Sequence, residues 1–228
     1  MWASVIPLAA SLIALCFAVI LGRQYGRKHG LHQLWWAISM LSYACASYGE
    51  FYALAFGWNV GMYLFYYFNA ISLVAIMAAG EMYMLFRDKF RWIGHLYAGA
   101  MVAAMLVLVV LLTQAETVTA QLASHDAAIG GEGLPQDSLI RSLFPALLSG
   151  IGGTILIIGP LWSWFKTRFR GNLYIAGGAL LLSAAGRLAK MGYPEWLPIS
   201  ELIGIAIIFY GVVLFSARKK PLTGAEQG

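Results

Sequence analysis

The sequence predicts an all-α protein: a seven-transmembrane-helix bundle with its N-terminus outside and its C-terminus in the cytoplasm. Three observations predict it. Of 228 residues, 61% are hydrophobic and only 11% are charged, where a soluble domain carries roughly 25% charged residues. The apolar residues fall in seven runs close to the ~20 residues that cross a bilayer as a helix. The basic residues gather on alternate loops, as topology requires of a membrane protein.

The runs cover about 4–22, 34–56, 61–86, 92–113, 139–165, 172–190 and 197–217. They far exceed strand lengths, so length assigns them to helix where periodicity cannot. Lipid offers no partner to backbone N–H and C=O groups, and a helix closes its own hydrogen bonds. Span one lacks the basic residues that precede the apolar core of a signal peptide; its charges, Arg23, Arg27 and Lys28, follow it, so it is expected to stay in the protein. Pro7, Pro145 and Pro160 lie within a few turns of span ends, where a kink is tolerable. Trp35, Trp36, Trp58, Trp92 and Trp196 stand at span ends, the position of interfacial anchors.

Arg23, Arg27 and Lys28 follow span one, and Arg87, Lys89 and Arg91 follow span three. Lys166, Arg168 and Arg170 follow span five, and Arg218, Lys219 and Lys220 follow span seven. Twelve of fifteen basic residues thus share one side, which the positive-inside rule makes cytoplasmic. The same placement accounts for the net charge of +5 without a nucleic-acid partner. The bilayer itself is the expected partner, and the cell (plasma) membrane the expected location. One domain, 1–228, is expected.

The long loop, 114–138, faces outward and carries Glu116, Asp126, Glu132 and Asp137, so it reads as a solvated acidic segment, with a short surface helix in "TVTAQLASHDAAI". His125–Asp126, and His29 with His32, lack the spacing of a metal site. Cys16 and Cys45 lie mid-span and read as small buried hydrophobes. No zinc-protease, nucleophile-elbow or phosphate-loop pattern is present, so no enzyme activity, metal or cofactor is expected.

Ionisable groups inside the spans are the informative residues, because each costs about 2.5–3.5 kcal/mol near a helix centre. Glu50 lies about 9 Å below the outer end of span two, and Glu201 about 6 Å into span seven, at 1.5 Å per residue. Arg187 and Lys190 occupy the outer end of span six. The economical arrangement turns Glu50 inward to Arg187, with Lys190 and Glu201 as further partners. Ser39, Tyr43, Ala46 and Glu50 recur at helical spacing with Ser47 beside them, and span three supplies Tyr63, Tyr66, Tyr67, Asn69 and Ser72. Gly178, Leu182 and Gly186 on span six, and Ser200, Gly204 and Gly211 on span seven, form stripes that allow close packing. The ligand-binding candidates are therefore Glu50, Arg187, Glu201, Lys190, Asn69, Tyr43, Tyr66 and Ser47, around an outward-facing recess for a small-molecule or lipid-like ligand. Three readings stay open: a purely structural ion pair, a ligand recess, or proton and ion handling. Glu81 is expected to reach the inner interface, toward the basic loop or His95.

Seven spans, an outside start and a length near 230 resemble the microbial-rhodopsin plan. Span seven, "PISELIGIAIIFYGVVLF", has no lysine, so the resemblance implies architecture without retinal chemistry. Residues 27–86, from "RKHGLHQLWWAISMLSYACASYGEFYALAFGWN" to "YYFNAISLVAIMAAGEMYMLF", are similar to uncharacterised bacterial seven-helix proteins and loosely to the sensor region of some histidine kinases. That resemblance implies a receptor-like sensor. With "SARKKPLTGAEQG" after span seven, the signal would pass to a separate signalling protein on the cytoplasmic side. A basic loop, a charge-bearing helix and a Gly- and Trp-containing turn occur twice, "FYALAFGW" and "LAKMGYPEW", around a fourth linker span. Such a parallel repeat is also a transporter plan, which makes a small-solute or proton-coupled transporter the alternative. An intramembrane enzyme using Glu50 or Glu201 ranks below both.

Overall fold

The computed structural model describes residues 2–86, 88–117, 122–123, 130–190 and 196–217, with side chains over 4–86, 88–117, 122–123, 130–184 and 199–212. Among these, every regular element is a helix: α1 (Trp2–Lys28), α2 (Leu31–Phe56), α3 (Val60–Leu85), a 3₁₀ turn (Asp88–Phe90), α4 (Arg91–Thr113), α5 (Leu139–Thr167), α6 (Arg170–Lys190) and α7 (Trp196–Ala217). Four stretches are long and apolar enough to cross a membrane: Ser4–Lys28, Val60–Leu85, Asp88–Thr113 and Leu139–Thr167. The chain is a helical protein of membrane-spanning composition. The 26-residue α2 is long enough but more polar, because it buries Gln33, Ser39, Ser42, Ser47 and Glu50.

The chain divides into two compact units, Met1–Ile155 and Leu156–Gly228, with the boundary inside α5. In the first, α1, α2 and α3 form successive antiparallel hairpins. α1 continues past its apolar run through Arg27 and Lys28, whose charges suit the negative end of the helix dipole. His29 then stops it in the left-handed region at φ 50°, with its N–H on the Tyr25 carbonyl at 2.7 Å. Gly57, at φ 80°, ends α2, and its N–H reaches Ala53 O at 2.8 Å. Two residues later Asn59 caps α3 by accepting from Met62 N–H at 2.8 Å.

Helix α2 meets α3 where side chains are small. A Cβ on Gly49 would lie 2.8 Å from Tyr66 Cβ, and one on Gly80 would run into the Trp36 ring. Ser39 Oγ donates to Leu73 O at 2.8 Å, and Ser11 of α1 does the same to Ala44 O. Trp36 and Trp58 are therefore core residues rather than lipid-facing anchors. Trp36 fills the space Gly80 leaves, and Trp58 stacks on Tyr63 and Tyr66 at ring distances of 5.8 and 5.1 Å. Trp92 is exposed, as an anchor should be.

Pro145 interrupts the regular winding of α5. Its ring and missing N–H cannot join an ordinary α-turn, and residues Pro145–Gly150 widen into a π-segment that closes with Ile151 N–H on Ala146 O. In the second unit, Gly178 meets Gly204 and Gly171 meets Gly211, each too close for a Cβ without displacement. Gly178 and Leu182 of one expected stripe and Gly204 and Gly211 of the other thus lie at the α6–α7 contact, while the side-chain position of Gly186 lies outside the described residues.

Candidate functional site

Register builds the site. With Gly49 opposite Tyr66 and Gly80 opposite Trp36, Glu50 stands level with Tyr66, Ser47 with Asn69, and Tyr43 with Ser72. Five of the eight expected ligand-binding residues thus share one helix pair, on the side of its α2–α3 turn. All five are buried: Glu50 is 3% exposed, Ser47 1%, Tyr43 3%, Tyr66 4% and Asn69 8%. Asn69 turns its amide back along its own helix, Nδ2 donating to Phe65 O at 2.9 Å. Ser72 Oγ is buried with no hydrogen-bond partner among the described residues. A hydroxyl left so costs about 1–3 kcal/mol, and the column is polar in a place where apolar side chains would pack more cheaply.

The Arg187 and Lys190 side chains lie outside the described residues, as do Arg87, His125 and Asp126. Glu201 belongs to the second unit and is half-buried. The α6–α7 register sets it level with Leu181, about 9 Å along the helix from position 187 at ~1.5 Å per residue.

Beside the column, residues 130–141 are no free solvated segment. Tyr63 Oη donates to Gly130 O at 3.0 Å, and Tyr67 Oη to Ile140 O at 2.7 Å. Gly133 lies flat on the Tyr63 ring, where a Cβ would sit within 3 Å of three ring atoms. Leu134 is wholly buried, and Arg141 holds its carbonyl through Nη1 at 3.1 Å. Residues 130–141 therefore form a strap across the N-terminal end of α3. Glu116, Glu132 and Asp137 remain exposed, as their charge requires. Tyr63 and Tyr67, expected to line an open recess, instead spend their hydroxyls on the strap.

Sequence reasoning missed Arg141 and the strap. The available signal was an arginine on the side otherwise free of basic loops, six residues after "GGEGLP". Glu81 also departs from expectation. It is fully buried, His95 Nδ1 sits 2.8 Å from Tyr83 Oη, and Lys89 and Arg91 are exposed. Among the described residues no group of three or more metal-ligating side chains comes together.

Compared with known proteins, the chain matches no family model, no curated protein and no solved structure.

Proposed function

We propose that the chain is a seven-span protein of the plasma membrane, N-terminus outside and C-terminus cytoplasmic, that acts as a receptor-like sensor of a small ligand arriving from the outer side. The observation that carries this reading is the buried polar column of Glu50, Ser47 and Tyr43 level with Tyr66, Asn69 and Ser72, closed above by the strap. A ligand bearing a polar atom for Ser72 would complete it. Coupling to the inner side has a physical route. Tyr67 bonds Ile140, Ser149 Oγ donates to Ile71 O at 3.1 Å, and Gly152 abuts the Val74–Ala75 backbone. A shift of α3 therefore pulls on α5 at three levels, across the π-segment, and α5 leads into the basic loop from Lys166 to Arg170. A separate cytoplasmic signalling protein would read that loop.

The test is a thermal-shift screen of small molecules against the protein in nanodiscs. A true ligand raises the melting temperature of the wild type but not of Glu50→Gln or Ser72→Ala, and slows hydrogen exchange across 130–141. Solute counterflow in proteoliposomes would instead establish transport and sink the sensor reading.

A small-solute transporter is the second reading, favoured by a repeated turn. His29 and Arg168 both adopt the left-handed region, at φ 50° and 52°, each donating its N–H to the carbonyl four residues back at 2.7 Å. Five residues before each, Gln24 and Ser163 accept from the amides of Gln33 and Asn172, which lie four residues after the turn. Matching α1–α2 and α5–α6 turns are what a parallel three-plus-one-plus-three repeat requires.

A further inference from the structure

Helix α3 carries one carboxyl, at its inner end, four residues before its last residue and so about 6 Å from it. Glu81 is 0% exposed, and neither Oε1 nor Oε2 has a hydrogen-bond partner among the described residues. The two flanks of the helix beside it are closed. Toward α2, Gly80 is pressed on the Trp36 ring and a Cβ there would lie 3.1 Å from His32 O. Toward α4, Tyr83 packs on Gly94 and holds His95. Glu81 projects from the remaining face, about five turns below Tyr63 at 3.6 residues per turn, below Met77 and Ala78, which are also buried.

Among the described residues, the titratable groups on the elements packed against α3 do not satisfy it. On α2, the His32 ring stands edge-on to Trp36, with centroids 5.6 Å apart. On α4, His95 is engaged by Tyr83, while Tyr97 reaches toward Ala75 O at 3.5 Å. Lys89 and Arg91 are exposed beyond the helix end. The part of α5 packed on α3 offers Ser149, which is spent on Ile71 O. An ionised carboxylate without donors is costly to bury, whereas leucine or glutamine would fill the same volume without a charge to neutralise.

We propose that Glu81 is a proton-binding site on the cytoplasmic side of the spanning segment, loading and releasing one proton through the short path to the inner end of α3. The site is separate from the outer polar column and stands whether that column binds a ligand or not.

The test uses the wild-type chain in native membranes and dicyclohexylcarbodiimide, a hydrophobic carbodiimide that adds to the O–H of a protonated carboxyl. The adduct rearranges to a stable N-acylurea where water is scarce. Peptide mass spectrometry is expected to find the adduct on Glu81 and not on the exposed Glu116 or Glu132. Its rate should fall about tenfold per pH unit once the site releases its proton, and Glu81→Gln should remove it. Absence of the adduct from a recovered Glu81 peptide would overturn the proposal, as would a rate indifferent to pH between about 6 and about 9. Protection by sodium at fixed pH would assign the site to an alkali cation and overturn the proton.

Discussion

Tyr67 donates its hydroxyl to the carbonyl of Ile140, 73 positions further along the chain, in a buried hydrogen bond of 2.7 Å. That bond ties the third helix to the first turn of the fifth and holds down the end of the strap. Removing it leaves a buried carbonyl without a partner, which costs about 1–3 kcal/mol. Tyr63 makes the corresponding bond to Gly130, but Gly130 is exposed and water can replace the lost donor. Tyr67→Phe is therefore expected to lower the melting temperature in detergent clearly more than Tyr63→Phe. Equal effects from the two variants would mean that the strap is not anchored at Ile140.

The α2–α3 contact yields a second prediction, because it depends on a missing side chain. At Gly49 a methyl group would meet Tyr66 Cβ at 2.8 Å, while at Gly26 of α1 nothing lies within 4 Å. Gly49→Ala should destabilise the protein by about 1–3 kcal/mol through overpacking. Gly26→Ala should stabilise it by up to about 1 kcal/mol, since alanine is the better helix former. Unfolding in graded denaturant, compared with the wild type, reads both. A destabilising Gly26→Ala would show that the C-terminal end of α1 packs more tightly than the open space around Gly26 implies.

These two contacts also show how much the sequence disclosed. Helix limits were legible to within a few residues, since lipid-scale apolar runs and basic loops leave little freedom for backbone hydrogen bonding. α1 ran six residues beyond its apolar run because Arg, Gln and Lys form helix well and favour its C-terminal end. Of the site, Glu50, Ser47 and Tyr43 were legible as a polar stripe at helical spacing. The partners of Tyr63 and Tyr67 were not, because both hydroxyls bond to backbone carbonyls of the loop and of α5, and a carbonyl leaves no mark in residue type. Trp36 misled for a related reason. Its closeness to a span end suggested an anchor, and only the opposing Gly80 makes it core. Glu81 sits near enough to three basic residues to suggest a pair, yet it is buried while Lys89 and Arg91 are exposed.

His29 supplies a third prediction. Its φ of 50° is a conformation that costs a residue with a Cβ about 1–2 kcal/mol. Its side chain is exposed, and its ring meets only Tyr25, edge-on at 5.9 Å. His29→Gly should leave stability unchanged or raise it by up to about 1 kcal/mol, the relief of strain being partly offset by the freer unfolded chain. His29→Val should lower stability, because a β-branched residue fits that region poorly. Melting curves of the two variants should bracket the wild type; a more stable valine variant would mean that the turn is not left-handed.

Orientation can be tested through positions that the fold leaves accessible. Gln136 is exposed on the strap, and Lys89 is exposed on the turn between α3 and α4. One long apolar helix, α3, separates the two. If the strap faces outward, Gln136→Cys in intact cells should react with a membrane-impermeant maleimide. Lys89→Cys should react only after permeabilisation. The native thiols must be removed first. Cys16 lies exposed mid-helix and Cys45 is partly buried, so Cys16→Ala and Cys45→Ala should be tolerated. Reversed labelling would put the twelve loop cations outside and invert the topology. The strapped end of α3, with its column of Glu50 and Tyr66, would then face the cytoplasm, and an extracellular ligand could not be what the column awaits.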